Sequence, residues 1–293
     1  MKILKNISSL RKILSAERRK GKRIGFVPTM GALHAGHLAL LRQCRKENDL
    51  VVLSIFVNPT QFGPKEDYKN YPRTLVEDAK KAKCAGADIL FNPSARAMYP
   101  EKCTTWIDVD KQLTSTLCGA SRPGHFRGVA TVVAKLLNIV QPDRLYLGQK
   151  DAQQCVVIQR MVKDLDFPVD VRIHPTVREK DGLAMSSRNQ YLTPQQRKEA
   201  VVIREALILG RAAIKTGTKN PKSIIARMRQ HIHGNSSGVI DYLACVDSRT
   251  LQPAKVIQAK ILLAVAVRFG KARLIDNCLI PTYNGSTPSG KYF

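Results

Sequence analysis

Val129, Val132, Val133, Leu136, Leu137 and Val140 fall at i, i+3, i+4, i+7, i+8 and i+11, the spacing of one apolar helix face, and Pro142 marks its end. Elsewhere in the first 175 residues or so, apolar positions come in short runs. Ile24–Val27, Leu50–Val57, Asp88–Phe91, Arg144–Leu147 and Val169–Ile173 read as buried strands. At the start, Ile7, Leu10, Ile13 and Leu14 lie at helical spacing after Asn6 and Ser8. That segment reads as the first helix of the mature fold, although its basic composition imitates a transit peptide. Strands alternating with helices predict an α/β fold, with a Rossmann-like, mostly parallel sheet and helices on both faces. Ligands of such sheets bind outside the carboxyl ends of the strands.

From about Val177 the texture changes. A polar loop leads to helical segments near Pro194–Lys215 and Pro221–His233, then to strand-like Val239–Val246, Lys260–Val267 and Arg273–Leu279. This order predicts a smaller C-terminal α+β domain with a short antiparallel sheet. The expected divisions are 1–176, 177–283 and a tail, 284–293, rich in Gly, Ser and Pro and expected to fray.

The 293 residues are 44% hydrophobic and 24% charged, enough to bury a core and too apolar for general disorder. The longest apolar stretches, Leu50–Val57 and Ile261–Val267, fall well short of the roughly 20 residues of a membrane span. No membrane partner is expected. With 48 Lys and Arg against 23 Asp and Glu, the net charge is +25. Such a charge suggests nucleic acid or an anionic surface. Aromatic residues are only 6%, however, and no zinc-finger spacing, RNP-like run or basic heptad occurs, so no specific nucleic acid is expected. Seven cysteines without a C-x-x-C fit neither a disulfide framework nor a zinc site and suit a reducing cytoplasm.

Four polar clusters carry candidate chemistry. After the first strand, Pro28–His37 leads into a helix, with His34 and His37 on one face of its first turn and Gly36 between them. A helix N-terminus favours anions, and neutral imidazoles can donate to phosphate oxygens. No Cys, Asp or Glu stands nearby at ligand spacing, which argues against a metal site. After the second strand, Asn58-Pro59-Thr60-Gln61 offers neutral groups for a hydroxyl or carboxylate, or forms a simple turn. Gly148-Gln149-Lys150-Asp151 opens another helix, where Gly148 suits a tight turn, Lys150 offers charge and Asp151 either caps the helix or accepts from a ribose. Gln154 lies one turn further on. Finally, Met185-Ser186-Ser187-Arg188 collects hydroxyls and a guanidinium suited to a diphosphate. P-loop, G-x-G-x-x-G and G-x-S-x-G motifs are absent from the sequence, and a covalent nucleophile has no local support.

In this order the clusters resemble class I adenylate-forming nucleotidyltransferases, His34–His37 matching their HIGH-like signature and Met185–Arg188 standing in for the KMSKS-like one. Within that superfamily the chain is similar to the pantoate–β-alanine ligase family. The similarity runs from about Leu10 to Asn277 and includes Tyr71–Thr74, Arg122–Phe126 and Arg273–Asn277. The resemblance implies ATP-dependent joining of pantoate and β-alanine through a pantoyl adenylate, with Mg2+ accompanying ATP, in a cytoplasmic homodimer. It implies ATP contacts at Met30, Gly31, Ala32, Leu33, His34, Ala35, Gly36, His37, Gly148, Gln149, Lys150, Asp151, Val177, Met185, Ser186, Ser187 and Arg188. His34, His37, Lys150, Ser186, Ser187 and Arg188 would be catalytic, with His37 the proton donor of the histidine pair. Gln61 and Gln154 would bind pantoate, and Gln61 would also meet β-alanine. Asn58, Tyr71, Arg122 and His125 match secondary positions of open role. Metal ligands are not legible, although Glu77 or Asp78 is a candidate neighbour. Two other classes compete: a transferase adenylylating a nucleotide or phosphopantetheine, and a nucleic-acid-binding relative of tRNA synthetases.

Overall fold

The computed structural model describes residues 1–64, 66–101, 103–258 and 260–281. The expected tail lies outside them. Six strands form a wholly parallel sheet: β1 (Lys2–Leu4), β2 (Ile24–Thr29), β3 (Leu50–Ile55), β4 (Ile89–Phe91), β5 (Arg144–Gly148) and β6 (Asp170–His174). Their order is β1-β4-β3-β2-β5-β6. From β2 the chain steps out through β3 to β4, then returns to lay β5 along the other side of β2. The order therefore reverses between β2 and β5, whose carboxyl ends bound the place where such sheets take ligands.

β2 is buried on both faces because each carries a helix layer. Val27 joins the core made with Leu40, Leu41 and Cys44 of the helix Ala35–Glu47. On the same face Gly25 admits the helix closely, since a Cβ there would lie 2.3 Å from the Cys44 Sγ. Ile24 and Phe26, on the opposite face, are also fully buried. The helix His125–Val140 packs against β2 and the helix Ile7–Arg19, with Leu10 and Leu14 buried on the latter.

A second sheet is antiparallel, with β7 (Val239–Asp247), β8 (Ile261–Phe269) and β9 (Ala272–Ile280) in the order β7-β8-β9. The helices Val202–Lys215 and Pro221–Asn235 supply Ile203, Leu207, Ile224 and Met228 to the core that covers it. Both sheet types thus agree with the expected α/β class.

The chain forms two compact units: 1–109, 122–148 and 157–175 make the first, and 110–121, 149–156 and 176 onward make the second. Gln153 helps explain why 110–121 joins the second. Its buried carboxamide donates to the carbonyls of Leu113 and Thr116 and accepts from the Cys118 N–H, each at 2.9 Å.

Two local readings differ from the sequence expectation. Lys2–Leu4 forms an edge strand beside Ile89–Phe91, a run too short to show any period. The segment near Pro194–Lys215 divides into Pro194–Glu199 and Val202–Lys215. Around Ala200 and Val201 the ladder tightens to three-residue bonds, Ile203 N–H to Ala200 and Arg204 N–H to Val201.

Candidate active site

The loop after β2 is shaped by its own backbone and by one acid. Gly31 and Ala32 both take left-handed φ, +91° and +50°. This turns the N–H groups of Ala32 and Leu33 onto the two oxygens of Asp78, at 2.9 and 2.7 Å. Thr74 adds its hydroxyl to the same carboxylate, which is fully buried. Asp78 is therefore a loop clamp, and its oxygens are occupied by donors rather than presented to a cation. Sequence spacing gave no sign of this, because 46 residues separate Asp78 from Ala32.

The loop delivers two histidines to the first turn of the helix Ala35–Glu47. His34 is the N-cap, and its Nδ1 accepts the Gly36 N–H at 3.2 Å. The His37 Nδ1 accepts the His34 N–H at 3.4 Å, completing a capping box in which imidazoles replace the usual Ser and Glu. The rings lie 4.1 Å apart and 32° from parallel. Accepting through Nδ1 assigns the proton of each neutral ring to Nε2. Two Nε2–H donors thus occupy a helix N-terminus whose remaining N–H groups and dipole also favour an anion.

After β3, Gln61 is the centre of a polar cluster. Its side chain is buried, accepting from the Asn58 Nδ2 at 3.1 Å and donating to the Met30 Sδ at 3.3 Å. Asn58 also donates to the Gly128 carbonyl and accepts from the hydroxyls of Thr60 and Tyr99. Arg122 and His125 both reach the Gln61 main-chain carbonyl, at 3.3 and 2.8 Å. Tyr71 is buried edge-on to Phe62, 6.0 Å away, so it braces the residue after Gln61. Asn58, Arg122 and His125 converge directly on Gln61.

The other candidates belong to the second unit, except Gly148 at the end of β5. Glycine is not required at 148 by a tight turn. Its φ is not left-handed, and a Cβ there would meet no atom within 4 Å. Gln149–Asp151 form a 3₁₀ turn ahead of the helix Ala152–Asp164. Among the described residues the Lys150 ammonium pairs with Asp151, at 3.4 Å. Gln154 is half-buried and has no hydrogen-bond partner among the described residues, in contrast to the fully engaged Gln153 beside it. Two neighbours on β9 hold the surrounding backbone. Asn277 donates to the carbonyls of Gln149 and Lys150, and Asp276 forms a two-point ion pair with Arg178, at 2.6 and 3.0 Å. Adjacent strand residues face opposite ways, so one dipeptide fixes two segments.

That Arg178 follows Val177 at the base of a tight hairpin. The Met185 N–H donates to the Val177 carbonyl at 3.0 Å, which sets the two residues side by side. The hairpin delivers Ser186, whose hydroxyl accepts the Arg188 N–H at 3.2 Å and caps the 3₁₀ turn Ser187–Tyr191. Glu66, Asp276 and Asn277 were not assigned to the site from the sequence, and Asp78 entered it only as a neighbour of metal. Of these, only Asp276 and Asn277 fell within a segment carrying the resemblance. The others would have needed knowledge of contacts spanning dozens of residues.

The sequence and the fold have counterparts among known proteins. Residues 2–279 match the family model described as Pantoate-beta-alanine ligase. A pantothenate synthetase of Moorella thermoacetica is 52% identical over 280 residues, covering 96% of this chain and 99% of that protein. The crystal structure of pantothenate synthetase from Thermus thermophilus superposes with a TM-score of 0.90 at 48% identity, covering 95% of this chain and 99% of that one. A Francisella tularensis pantoate-beta-alanine ligase, solved with beta-gamma ATP and beta-alanine, gives 0.79 at 38% identity over 95% and 97% of the two chains. Parallel sheet, histidine-capped helix and glutamine cluster are thus carried on a chain that the family model matches over residues 2–279, and the chain belongs to the pantoate-beta-alanine ligase family.

Proposed function

We propose that this chain condenses pantoate with β-alanine at the expense of ATP. A pantoate carboxylate oxygen attacks the α-phosphorus, and the bond to the bridging oxygen breaks, releasing pyrophosphate. The β-alanine amine then attacks the carbonyl carbon of pantoyl adenylate, the bond from that carbon to the phosphate oxygen breaks, AMP leaves and the nitrogen loses a proton. Both steps bring charged or crowded groups together, so positioning and charge stabilisation dominate.

The observation that carries the reading is the histidine capping box. With each Nδ1 accepting a backbone N–H, His34 and His37 offer Nε2–H donors to phosphate oxygens. A proton-transfer role for His37 fits this arrangement less well, because an imidazolium would need a second proton where the His34 N–H already points. Met30–His37, Gly148–Asp151, Val177 and Met185–Arg188 are the proposed ATP contacts. Lys150, Ser186, Ser187 and Arg188 would balance charge as pyrophosphate departs. Gln61 and Gln154 would hold pantoate, with β-alanine also meeting Gln61. The carboxamide of Gln154, without a partner among the described residues, supports its share of that role.

Magnesium would enter as part of the Mg-ATP substrate, which the ion commonly binds with few protein ligands. A cytoplasmic homodimer is proposed on the family resemblance. Seven free cysteines also favour a reducing compartment, and sedimentation would test the dimer. The deciding experiment measures AMP release with ATP, pantoate and β-alanine omitted in turn. AMP formation dependent on all three supports the reading, and release without pantoate overturns it.

A further inference from the structure

Glu66 joins the Gln61 cluster from a part of the chain to which the sequence assigned no chemistry. Its carboxylate meets Arg122 at two points, Nε to Oε1 at 2.6 Å and Nη2 to Oε2 at 2.7 Å. The third guanidinium nitrogen, Nη1, lies 2.9 Å from the His125 Nε2. Arginine only donates, so His125 accepts at Nε2 and carries its proton on Nδ1. That Nδ1–H donates to the Gln61 carbonyl at 2.8 Å, and the Arg122 Nη2 reaches the same oxygen at 3.3 Å.

The direction of these bonds matters more than their number. A guanidinium fork is rigid, so two contacts on one edge fix where the remaining nitrogen points. Glu66 thereby sets Arg122, Arg122 sets the tautomer and tilt of His125, and both close on one carbonyl. The pair is mostly shielded, with Arg122 19% and Glu66 25% exposed. Burial is the largest single influence and pushes the Glu66 carboxyl up, but the Arg122 hydrogen bonds and charge, with the Gly63 backbone, together outweigh it and hold the group below the ordinary carboxylate range. The anion that aligns Arg122 is therefore present at neutral pH.

We propose that Glu66 is a positioning residue for pantoate, acting through Arg122 and His125 to hold Gln61. This deepens the reading in which the Gln61 carboxamide binds that substrate, and it rests on that reading. Gln61 is locked from two sides: Asn58 and Met30 hold its side chain, and the Glu66 chain holds its main chain. Losing the second lock leaves the carboxamide near its place with its orientation relaxed. A displacement of about an ångström at a positioned group can cost up to about a hundredfold in rate.

The test compares E66Q, E66D, Q61A and the double variant E66Q/Q61A, measuring KM for pantoate and for ATP, kcat and thermal unfolding. E66Q keeps size but loses the charge and one acceptor. The expected result is a rise in pantoate KM of about tenfold, on the order of one lost charged hydrogen bond, with ATP KM unchanged. E66D retains the charge and should show a smaller rise of the same kind, which remains the readout if E66Q does not fold. In the Q61A background, E66Q should add little. An unchanged pantoate KM in folded E66Q overturns the role of Glu66 while Q61A still shows its defect. A parallel rise in both KM values with a large fall in unfolding midpoint, or full additivity in the double variant, assigns Glu66 to general stability and also overturns it. If Q61A itself leaves pantoate KM unchanged, the Gln61 reading fails and the proposal falls with it.

Discussion

Asn277 is joined to Lys150 through the main chain, its carboxamide donating 2.9 Å to the Lys150 carbonyl and 2.8 Å to that of Gln149. A side chain on β9 thereby fixes the turn from which the Lys150 ammonium extends. N277A leaves two carbonyls without this partner, a loss of about 1–3 kcal/mol. The expected outcome is a raised KM for ATP in a protein that still folds. Steady-state kinetics over an ATP series checks it, and an unchanged KM would show that the turn holds itself.

His37 occupies the third position of its helix, where it completes the capping box, and is the proposed phosphate donor. H37A should lower adenylation by about a hundredfold or more, the scale seen when a single transition-state donor is removed. Stability should change by only about 1 kcal/mol, as for other caps. Pantoate-dependent exchange between ATP and pyrophosphate reads the first step alone. Near-normal exchange in the folded variant contradicts the assignment.

Asp78 accepts three hydrogen bonds without exposure to water. D78N turns one acceptor into a donor that must face another N–H, and the change should destabilise the chain by about 3 kcal/mol. Denaturant unfolding followed by circular dichroism measures this directly. A midpoint equal to that of the parent protein would mean that the loop does not depend on the clamp.

Gly128 lets the helix His125–Val140 lie directly on the turn containing Gln61. An added Cβ would stand 2.3 Å from the Thr60 carbonyl oxygen and 2.7 Å from the Gln61 nitrogen. G128A must therefore move backbone, at a cost of about 1–3 kcal/mol. Pantoate KM should rise more than ATP KM, since the displaced turn carries Gln61 and not the histidines. Equal changes in the two constants would refute this division.

Burial pushes the Cys44 thiol up to about 12. Only the thiolate reacts readily, so this side chain stays inert through the neutral range and gains reactivity only as pH climbs toward that value. Cys84, by contrast, is exposed. Brief alkylation of the native protein at neutral pH, followed by peptide mapping, should label Cys84 and leave Cys44 unmodified. Equal labelling would show that the core around β2 opens readily.

The parts of this fold legible in the sequence are those whose physics is local. The helix His125–Val140 shows its apolar period because it is buried along its whole length except for a narrow stripe through Arg127, Lys135 and Asn138. Strands β2 and β3 read as apolar runs because both of their faces are covered. His34 and His37 could be placed together because the helix itself sets their spacing. Asp78, Glu66 and Asn277 act on partners 45, 56 and 127 residues away, at Leu33, Arg122 and Lys150. No periodicity records such pairs. Hydrophobic pattern also missed Lys2–Leu4, whose strand exists only because β4 offers an open edge.

Ala32 sits at φ +50°, a conformation that costs an L-residue roughly 1–2 kcal/mol. The Asp78 carboxylate holds it there, accepting the Ala32 N–H at 2.9 Å. Much of the configurational entropy of the loop before His34 is therefore surrendered when the chain folds. A nucleotide bound at this loop, as proposed above, would meet a conformation already selected, and its binding energy would remain available for the reaction instead of for shaping the protein.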